Sequence, residues 1–592
     1  MRKAAARDTL APRDSARADG AQPSTPRSRA APDTLQTPIA RPYAPRPTEL
    51  GTGIVHWDRD AIFASGALTL GELLDQVPGV TGLTTGFILA PQVAAWYGDP
   101  AGVRIFVDGV ERDPLNARNG GITDLAAVPL WAMEDVRVER TARELRVHLR
   151  SWRVERTAPS TRTDVLTGSE NLNLYRGWFG ARLSNGGAIQ FAAQQHSSAS
   201  RGGMDGDAMG AMARVGWARG RWSVDGTLLR QGLDRASGAR YLATTPVPNA
   251  LPGFKGSEGT AYLRVAWRDP EAPGPWVQLT AATISAGESR TTAGQGAGSG
   301  QSASTTAATD SVDSTAVRSQ YVVAAGFTQW GVRLSTTNRL RSINGRSFFS
   351  PGARAEYESR LFTLSAFGER GPDSTTRTDV QARVAPFSWL NVGASLSRAS
   401  PKHAGIGPTV TAARVEAGVR IFDRWLTAGV VTRSAGRLDA PIELDTVLRA
   451  VDAPAASATI VGFRGPLWRG VSLDVDAINW DAPGSYRPQQ QVRARLWFAS
   501  SFLRRFPRNT FHLLAAGTYD YRSTTLVPSG TDPYGQRAMA AGALGSLLEI
   551  RIGSAVISWQ TRNMLAEIYE TYPGYVMPRL VNVYGVRWEF WN

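Results

Sequence analysis

The run VSLDVDAIN, residues 471–479, sets Leu473, Val475 and Ala477 against Ser472, Asp474 and Asp476. Twenty residues on, QVRARLWFA (491–499) sets Val492, Ala494, Leu496 and Phe498 against Arg493 and Arg495. Period-two alternation puts one set of side chains on each face of a sheet. Short runs of this kind dominate everything after residue 158, and no long helical pattern interrupts them.

The connections between these runs are of two kinds. One is tight and flanked by aromatic residues: WARGRW near Gly220, FTQWG near Trp330, SRLF near Arg360, PFSWL near Trp389, FDRWL near Trp425, GPLWRG near Trp468 and FLRRFPRN near Phe506. SNGG near Gly186, DPEAPGP near Pro273 and a turn near Gly553 complete ten tight turns. The other kind is longer and rich in Gly, Ser, Thr and Pro, the longest expected at residues 286–315. Short turns on one rim, long loops on the other and aromatic girdles describe an outer-membrane β-barrel, because Trp and Tyr favour the half-solvated membrane boundary. Ten tight turns with both barrel ends on the tight-turn rim require eleven loops and 22 strands. Residues 159–592 then supply about 20 residues per strand and connection, ample for membrane strands of roughly 9–11 residues. A lumen of that width is usually plugged.

Residues 1–48 are rich in Ala, Arg, Pro, Asp, Ser and Thr and nearly lack aromatics. Such a segment cannot bury enough surface to offset its ordering entropy and reads as a disordered arm. Residues 49–158 read as a small α/β module. GIVHWDRDAI (53–62) is expected as a short strand. LTLGELLDQVPGV spaces Leu70, Leu73, Leu74 and Val77 as a helix and stops at Pro78-Gly79. GVRIFVDGV (102–110) is a strand driven into a tight turn, since Asp108-Gly109 supplies positive φ. DLAAVPLWAMEDVRVER (124–140) is a loop or helical turn followed by a strand carrying Val136 and Val138.

The module resembles the plug domain of the TonB-dependent receptor family. Leu73, Leu74, Pro78, Gly79 and Val80 match its leucine helix closed by Pro-Gly-Val. Asp108 and Gly109 match its strand ending in Asp-Gly, and Asp124, Leu125, Pro129, Val136, Val138 and Arg140 match its third block. At the chain end, Gly585, Trp588 and Phe590 resemble the signal that outer-membrane barrels present to their assembly machinery, with Trp591-Asn592 left over and Tyr584, Val586, Trp588 and Phe590 expected to face lipid. The family's Gly-Pro and Tyr-Gly run after Arg140 is replaced by TARELRVHLRSWRVERT, and its Arg-Gly before the second block by Trp96-Tyr97-Gly98.

The resemblance implies an outer-membrane receptor that takes up a scarce solute, siderophore-, cobalamin- or oligosaccharide-like, with energy from the periplasmic protein TonB. The family's coupling box adds as an edge strand, a mode that relies on backbone pairing. Asp33, Thr34, Leu35, Gln36, Thr37 and Pro38 are the candidate box, with a near copy at residues 8–12. The implied partners are TonB, the barrel assembly machinery, outer-membrane lipid and lipopolysaccharide, and an unidentified small solute. A plugged barrel that is not energised, serving as a surface receptor or structural protein, is the alternative.

The formal charge of +15 and pI of about 10.4 raise a nucleic-acid partner. Lysine occurs only at Lys3, Lys255 and Lys402, and the arginines are spread along the chain, so no basic patch supports it. Arginine facing headgroup phosphates is the alternative use of that charge. No cysteine is present, which excludes disulfides and thiolate sites. The five histidines, His56, His148, His196, His403 and His512, lack ligand spacing, so no metal is expected. GQGAGSG (294–300) lacks the Gly-Lys-Ser/Thr ending of a phosphate loop, GGMDGD (202–207) is far from an EF-hand, and no nucleophile elbow exists. Neither an enzyme nor a cofactor is expected. The start, MRKAAARDTLAPRDS, has basic residues but no apolar core, so no secretory leader is visible, although the barrel argues for export.

Overall fold

The computed structural model describes residues 38–46, 55–112, 122–155, 157–199, 205–242, 245–292, 310–343, 345–372, 374–401, 407–445, 447–501, 510–529 and 532–591. Its architecture is a closed antiparallel barrel of 22 strands around a small N-terminal α/β unit. Closure joins the last strand, Val581–Trp591, to the first, Ser160–Gly168, so the sheet has no free edge. Trp591, left over beyond the terminal signal, pairs with Ser160 inside this seam.

The alternation works as a wall between two media. In the strand Val471–Trp480, Ser472, Asp474, Asp476, Ile478 and Trp480 face the lumen, while Val461 and Leu496 on the neighbouring strands, like Val215 and Leu228 farther round the barrel, stand exposed on the outer face. Tyr584, Val586 and Trp588 are exposed on the outer face of the last strand, and Phe590 is half-buried, its ring 4.6 Å from that of Trp588. Nine of the ten tight connections fall where the sequence predicts them; the tenth, between Gln490–Ser500 and Phe511–Arg522, lies in residues 502–509, outside the described residues. Trp330 and Phe422 sit in such turns at positive φ, 87% and 86% exposed, and mark the aromatic rim.

The opposite rim departs from expectation. Residues 286–315 are not one long loop. Strands Gly274–Thr292 and Asp310–Gln329 stay paired as far as Thr292 and Asp310, because the Ser/Thr-rich ends continue the ladder beyond the membrane. Two connections are short: Ile343 pairs with Arg346, with two residues between them, and four residues separate Gly168, which ends its strand, from Asn173, which starts the next.

The inner unit has a five-stranded sheet and a hairpin. In chain order they are β1 (His56–Asp58), α1 (Arg59–Ala64), α2 (Leu70–Leu74), β2 (Val80–Thr84), β3 (Gln92–Trp96), β4 (Val103–Val107), β5 (Val110–Glu111), β6 (Met133–Arg140) and β7 (Leu145–Ser151). The sheet order is β1-β6-β7-β4-β5, with β4 and β7 parallel, and β2 and β3 form the hairpin. Among the described residues of GIVHWDRDAI, three are strand. The Asp58 carboxylate accepts the Ala61 N–H at 2.8 Å and starts α1 at once.

The core of this unit is continuous with the barrel wall. Trp57, Leu70, Leu73, Trp96 and Val138 share one buried cluster with Trp178, Met212, Val431, Ile460 and Trp480 of the wall. The unit therefore fills the lumen as a plug.

Candidate functional site: the plug and its seat

The sequence signature residues build the plug's own turns. Thr69 caps α2, accepting the Glu72 N–H at 3.3 Å, while the Glu72 carboxylate accepts the Leu68 N–H at 2.8 Å. Leu73, Leu74 and Val80 are fully buried. The helix ends earlier than Pro78-Gly79, at Leu74, with Asp75 as its C-cap, and Gly79 turns the chain at φ +95°, where a Cβ would lie 2.4 Å from the Tyr97 ring. Asp124 caps the turn Leu125–Ala127 through the Ala126 N–H and also accepts the Gln92 N–H, both at 3.0 Å. Burial pushes its carboxyl up to about 6, against those hydrogen bonds. Pro129 opens the turn Leu130–Ala132 that leads into β6. Val138 is buried, and burial with the nearby Arg414 lowers the Arg140 guanidinium to about 10.

Asp108 and Gly109 adopt φ of 49° and 83°, both positive as the two-residue turn between β4 and β5 requires. The turn is also an anchor. The Asp108 carboxylate accepts the Ser151 N–H at 3.1 Å, the Ser151 hydroxyl, and the Tyr262 hydroxyl of the wall at 2.6 Å. Burial opposes its charge, but Arg214, Arg153 and Arg264 outweigh it and hold the carboxyl below the ordinary range.

Around this turn the arginines meet carboxylates between plug and wall. Glu139 on β6 accepts both oxygens' bonds from Arg354 at 2.7 and 2.8 Å. Arg104 on β4 reaches Glu111 and Glu369 at 2.7 Å each. Arg146 on β7 bonds Asp379, and Arg341 bonds Glu111. These side chains are almost fully buried: 4% and 5% exposed for Glu139 and Arg354, 2% and 5% for Arg146 and Asp379. Part of the chain's basic charge is thus used inside the lumen, where sequence reasoning offered only composition or lipid headgroups.

The opposite side of the plug is held differently. Asp75 meets Arg522 at 2.5 Å and Arg493 at 3.4 Å, and Glu72 meets Arg562 at 2.5 Å. Here Asp75 is 25% and Glu72 26% exposed, because both line a cavity of about 320 Å³ between the plug and strands Gln490–Ser500, Phe511–Arg522, Ala541–Ile552 and Ala555–Arg562. Exposed ion pairs contribute roughly 0–1 kcal/mol, whereas removing one partner of a buried pair costs about 3–5 kcal/mol. The seat is dry on one side and partly wet on the other, where Glu72 still pairs with Arg562 through both carboxylate oxygens.

Residues 38–46, read from sequence as part of the arm, are seated along the tight-turn rim. The Ala40 N–H donates to Ser223 at 3.1 Å, Tyr43 N–H to Gln278 at 3.0 Å, and the Tyr43 hydroxyl meets Ser335 at 2.7 Å. The Tyr43 ring stacks on Trp276 at 4.9 Å. The same segment is tied to the plug: Arg153 donates to the Ala40 carbonyl at 2.7 Å and Arg150 of β7 to that of Pro42 at 3.2 Å. Of the candidate coupling residues, Pro38 is exposed at the start of this strap, and Asp33, Thr34, Leu35, Gln36 and Thr37 lie outside the described residues.

At the loop rim the connections fold inward. Leu438, Leu444, Leu448, Val451, Tyr486, Val527, Tyr572 and Tyr575 pack with Leu83, Val93 and Ala95 of the plug hairpin. Arg240 ties them together, donating to the Pro573 carbonyl at 3.1 Å, to Asp445 at 2.7 Å and to Gln536, with its guanidinium over Tyr572 and Tyr575. Beneath lies a cavity of about 230 Å³ lined by Arg235, Arg290, Phe254, Glu258, Asp124 and Trp131 among others. In the last strand, Gly585 pairs opposite Leu166, whose side chain a Cβ would approach to 2.9 Å, and the Trp588 indole donates to Ser554 at 3.0 Å. Among the described residues no group of His, Cys, Asp and Glu could hold a metal ion.

The ion pairs and the strap were beyond sequence reasoning. Glu139 and Arg354 are 215 residues apart, and no local pattern links them.

No protein-family model matches the sequence, and no curated protein matches it. Solved structures match the fold. The ferric-catecholate import receptor Fiu of E. coli superposes with a TM-score of 0.65 at 11% identity, covering 94% of this chain and 100% of that one. A mutant of the ferric enterobactin receptor PfeA of Pseudomonas aeruginosa gives 0.68 at 11% identity over 91% and 98%. The FrpB iron transporter of Neisseria meningitidis gives 0.66 at 11% over 92% and 100%. The fold is that of plugged TonB-dependent receptors.

Proposed function

We propose that this chain is an outer-membrane receptor of the TonB-dependent type, which captures a scarce solute at its loop rim and passes it inward when the plug is pulled from the periplasm. It is a transport protein, not an enzyme. The tight-turn rim faces the periplasm, as in outer-membrane barrels generally. The observation that carries the reading is the strap at residues 38–46. Pro38, the last residue of the candidate box, begins the strap at that rim, and the strap is bonded to Arg150 of β7 and to Arg153 just beyond it, so tension on the arm reaches the plug sheet directly. Plug signature residues at the turns that shape the unit, and the terminal Gly585, Trp588 and Phe590 on the closing strand, fit assembly in that membrane amid lipid and lipopolysaccharide.

Of the three solute classes, the siderophore-like one is favoured, because the neighbours in fold carry names of iron and siderophore receptors. Arg235 and Arg290 flanking Phe254 in the cavity under the loops suit an anionic aromatic chelate. The test is uptake by cells expressing the chain, offered a ferric catecholate, cobalamin or a maltooligosaccharide. Accumulation of the ferric catecholate that a protonophore abolishes supports the reading; accumulation of none of the three rejects it.

The alternative, a plugged barrel without energy coupling, draws on the depth of the ion network around Glu139 and Arg146, which resists displacement of the plug. Protonophore-insensitive binding at the cell surface without accumulation would favour it.

A further inference from the structure

We infer that the turn at residues 564–568, between strands Ala555–Arg562 and Val581–Trp591, rests in the outer leaflet of the membrane with its apolar side chains among lipid acyl chains. The lipid anchors one end of the loop 563–580, whose other end covers the plug. The inference needs only a barrel in its membrane and stands whether or not uptake is energised.

The strand before the turn is too short to cross the membrane alone. Ala555–Arg562 has 8 residues and starts level with the lower aromatic rim, where Ala555 pairs with Trp588. At about 3.3 Å per residue and a tilt of about 40° it rises roughly 20 Å. The apolar band is about 25 Å tall. The chain that follows is apolar and exposed: Met564, Leu565 and Ile568 are 46%, 58% and 61% exposed, and Leu580, just before the closing strand, is 44% exposed. The Met564 N–H donates to the Leu544 carbonyl at 2.7 Å, and Leu544 pairs with Tyr519. Leu514 and Ala516 of that strand pack on Ala64 of the plug, so Tyr519 faces outward by alternation. An outward tyrosine at the loop end of a strand marks the membrane boundary. The patch is therefore continuous with the lipid-facing band of the barrel.

The turn is built for that place. Lipid cannot satisfy backbone donors and acceptors, and this turn pairs several of its own. Asn563, 3% exposed, accepts the Glu567 N–H on its side-chain oxygen at 3.1 Å and donates its amide to the Glu567 carbonyl at 2.8 Å. The Ala566 N–H donates to the Asn563 carbonyl at 2.9 Å. Glu567 and Arg579 are exposed beside the apolar side chains, which puts the turn at the headgroup boundary, where charged groups cost little. A second copy of the chain fits less well, since a stable pair needs roughly 800 Å² from each partner, more than these side chains supply. In the same loop Tyr572 and Tyr575 are buried with Leu83 and Val93 of the plug hairpin. The Met577 N–H bond to the Tyr569 carbonyl at 2.9 Å ties the two halves of the loop, so an anchored turn steadies the cover over the plug.

The absence of cysteine makes single-cysteine labelling direct. The full chain is refolded in phosphatidylcholine vesicles with a bimane fluorophore on Ile568→Cys. Val586→Cys, on the outer face of the seam, sets the scale for full lipid contact. Val447→Cys, 55% exposed between Leu444 and Leu448 of the cover, sets the scale for water. Leu565→Cys replaces Ile568→Cys if that variant lacks heat-modifiable migration. Lipid carrying a nitroxide high on its acyl chain should quench the label at residue 568 several-fold more than the label at residue 447. Quenching at 568 no stronger than at 447 overturns the inference and leaves the uptake reading standing. Weak quenching at 568 by both lipid nitroxide and aqueous iodide, in a chain that runs as a dimer, puts a second copy on the patch and overturns it as well.

Discussion

The carboxylate of Glu139, on the plug, takes hydrogen bonds at 2.7 and 2.8 Å from one guanidinium nitrogen of Arg354, on the barrel wall. Both side chains are at most 5% exposed. Burial works against the charge of Glu139, but Arg354 and Arg146 overcome it and bring its carboxyl down to about 2. This pair joins two parts of the chain that share no local sequence signal.

The pair makes plug docking sensitive to acid. Between the ordinary carboxyl value of 4.5 and about 2, the released plug binds more protons than the docked one, so docking strengthens as pH rises through that window. The contribution of Glu139 is complete above 4.5 and is lost as pH falls toward 2. Glu139→Gln removes this part of the acid response and weakens docking by about 3–5 kcal/mol, because Arg354 stays buried with a lost partner. Protease sensitivity of the plug against pH, in a barrel that keeps its heat-modifiable migration, measures both effects.

The turn at Asp108 and Gly109 carries a second link. Asp108→Ala removes the short polar side chain that suits the left-handed φ of 49° and leaves the Tyr262 hydroxyl without its acceptor. The expected cost to plug stability is about 2–4 kcal/mol. Asp108→Asn tolerates the same φ and keeps one acceptor oxygen, so it should cost less. Equal losses in denaturant titrations of the two variants would show that the carboxylate contacts, not the turn conformation, set the cost.

The outer face of the closing strand predicts an assembly defect. Val586 pairs with Val165 near the middle of the seam, and both are exposed on the outer face. Val586→Arg should destabilise the inserted barrel by roughly 2–4 kcal/mol, as a cation at mid-membrane does. Trp588→Ala and Phe590→Ala should slow insertion while leaving the assembled barrel nearly as stable. Pulse-labelled outer membranes scored for heat-modifiable protein separate rate from final stability.

Over the loop rim, Arg240→Ala removes the bonds to Asp445, Gln536 and the Pro573 carbonyl at once. The loops around residues 436–453, 525–538 and 563–580 should become protease-sensitive, while the barrel band resists as before. An unchanged digestion pattern would mean that the apolar packing of Tyr486, Tyr572 and Tyr575 holds the loops without the guanidinium.

Much of the barrel could be read from the chain. Strand alternation in residues such as Leu473, Val475 and Ala477, together with aromatic-flanked turns, is a local signal, and it gives the strand number. The plug turns at Pro78-Gly79 and Asp108-Gly109 are local too, because left-handed backbone leaves a mark in residue choice. The helix α1 was missed although its cap was visible: Asp58 stands three residues before Ala61, whose N–H it accepts. Loop lengths were overestimated where strands such as Asp310–Gln329 run on above the membrane, since polar Ser/Thr stretches pair as readily as they loop. The clamp and the strap escaped entirely. Glu139 with Arg354, or Tyr43 with Gln278, meet only after the barrel has closed, and a spread of arginines along the chain looks the same whether it faces lipid, water or a buried carboxylate.

Energy coupling is the central claim, and binding of the periplasmic TonB domain tests it most directly. The assembled full chain is compared with a version in which Asp33–Pro38 is scrambled, leaving the strap at residues 39–46 intact. Binding by the intact chain that is lost on scrambling is the predicted result. Failure of the intact chain to bind would contradict energy coupling and leave the passive plugged barrel in its place.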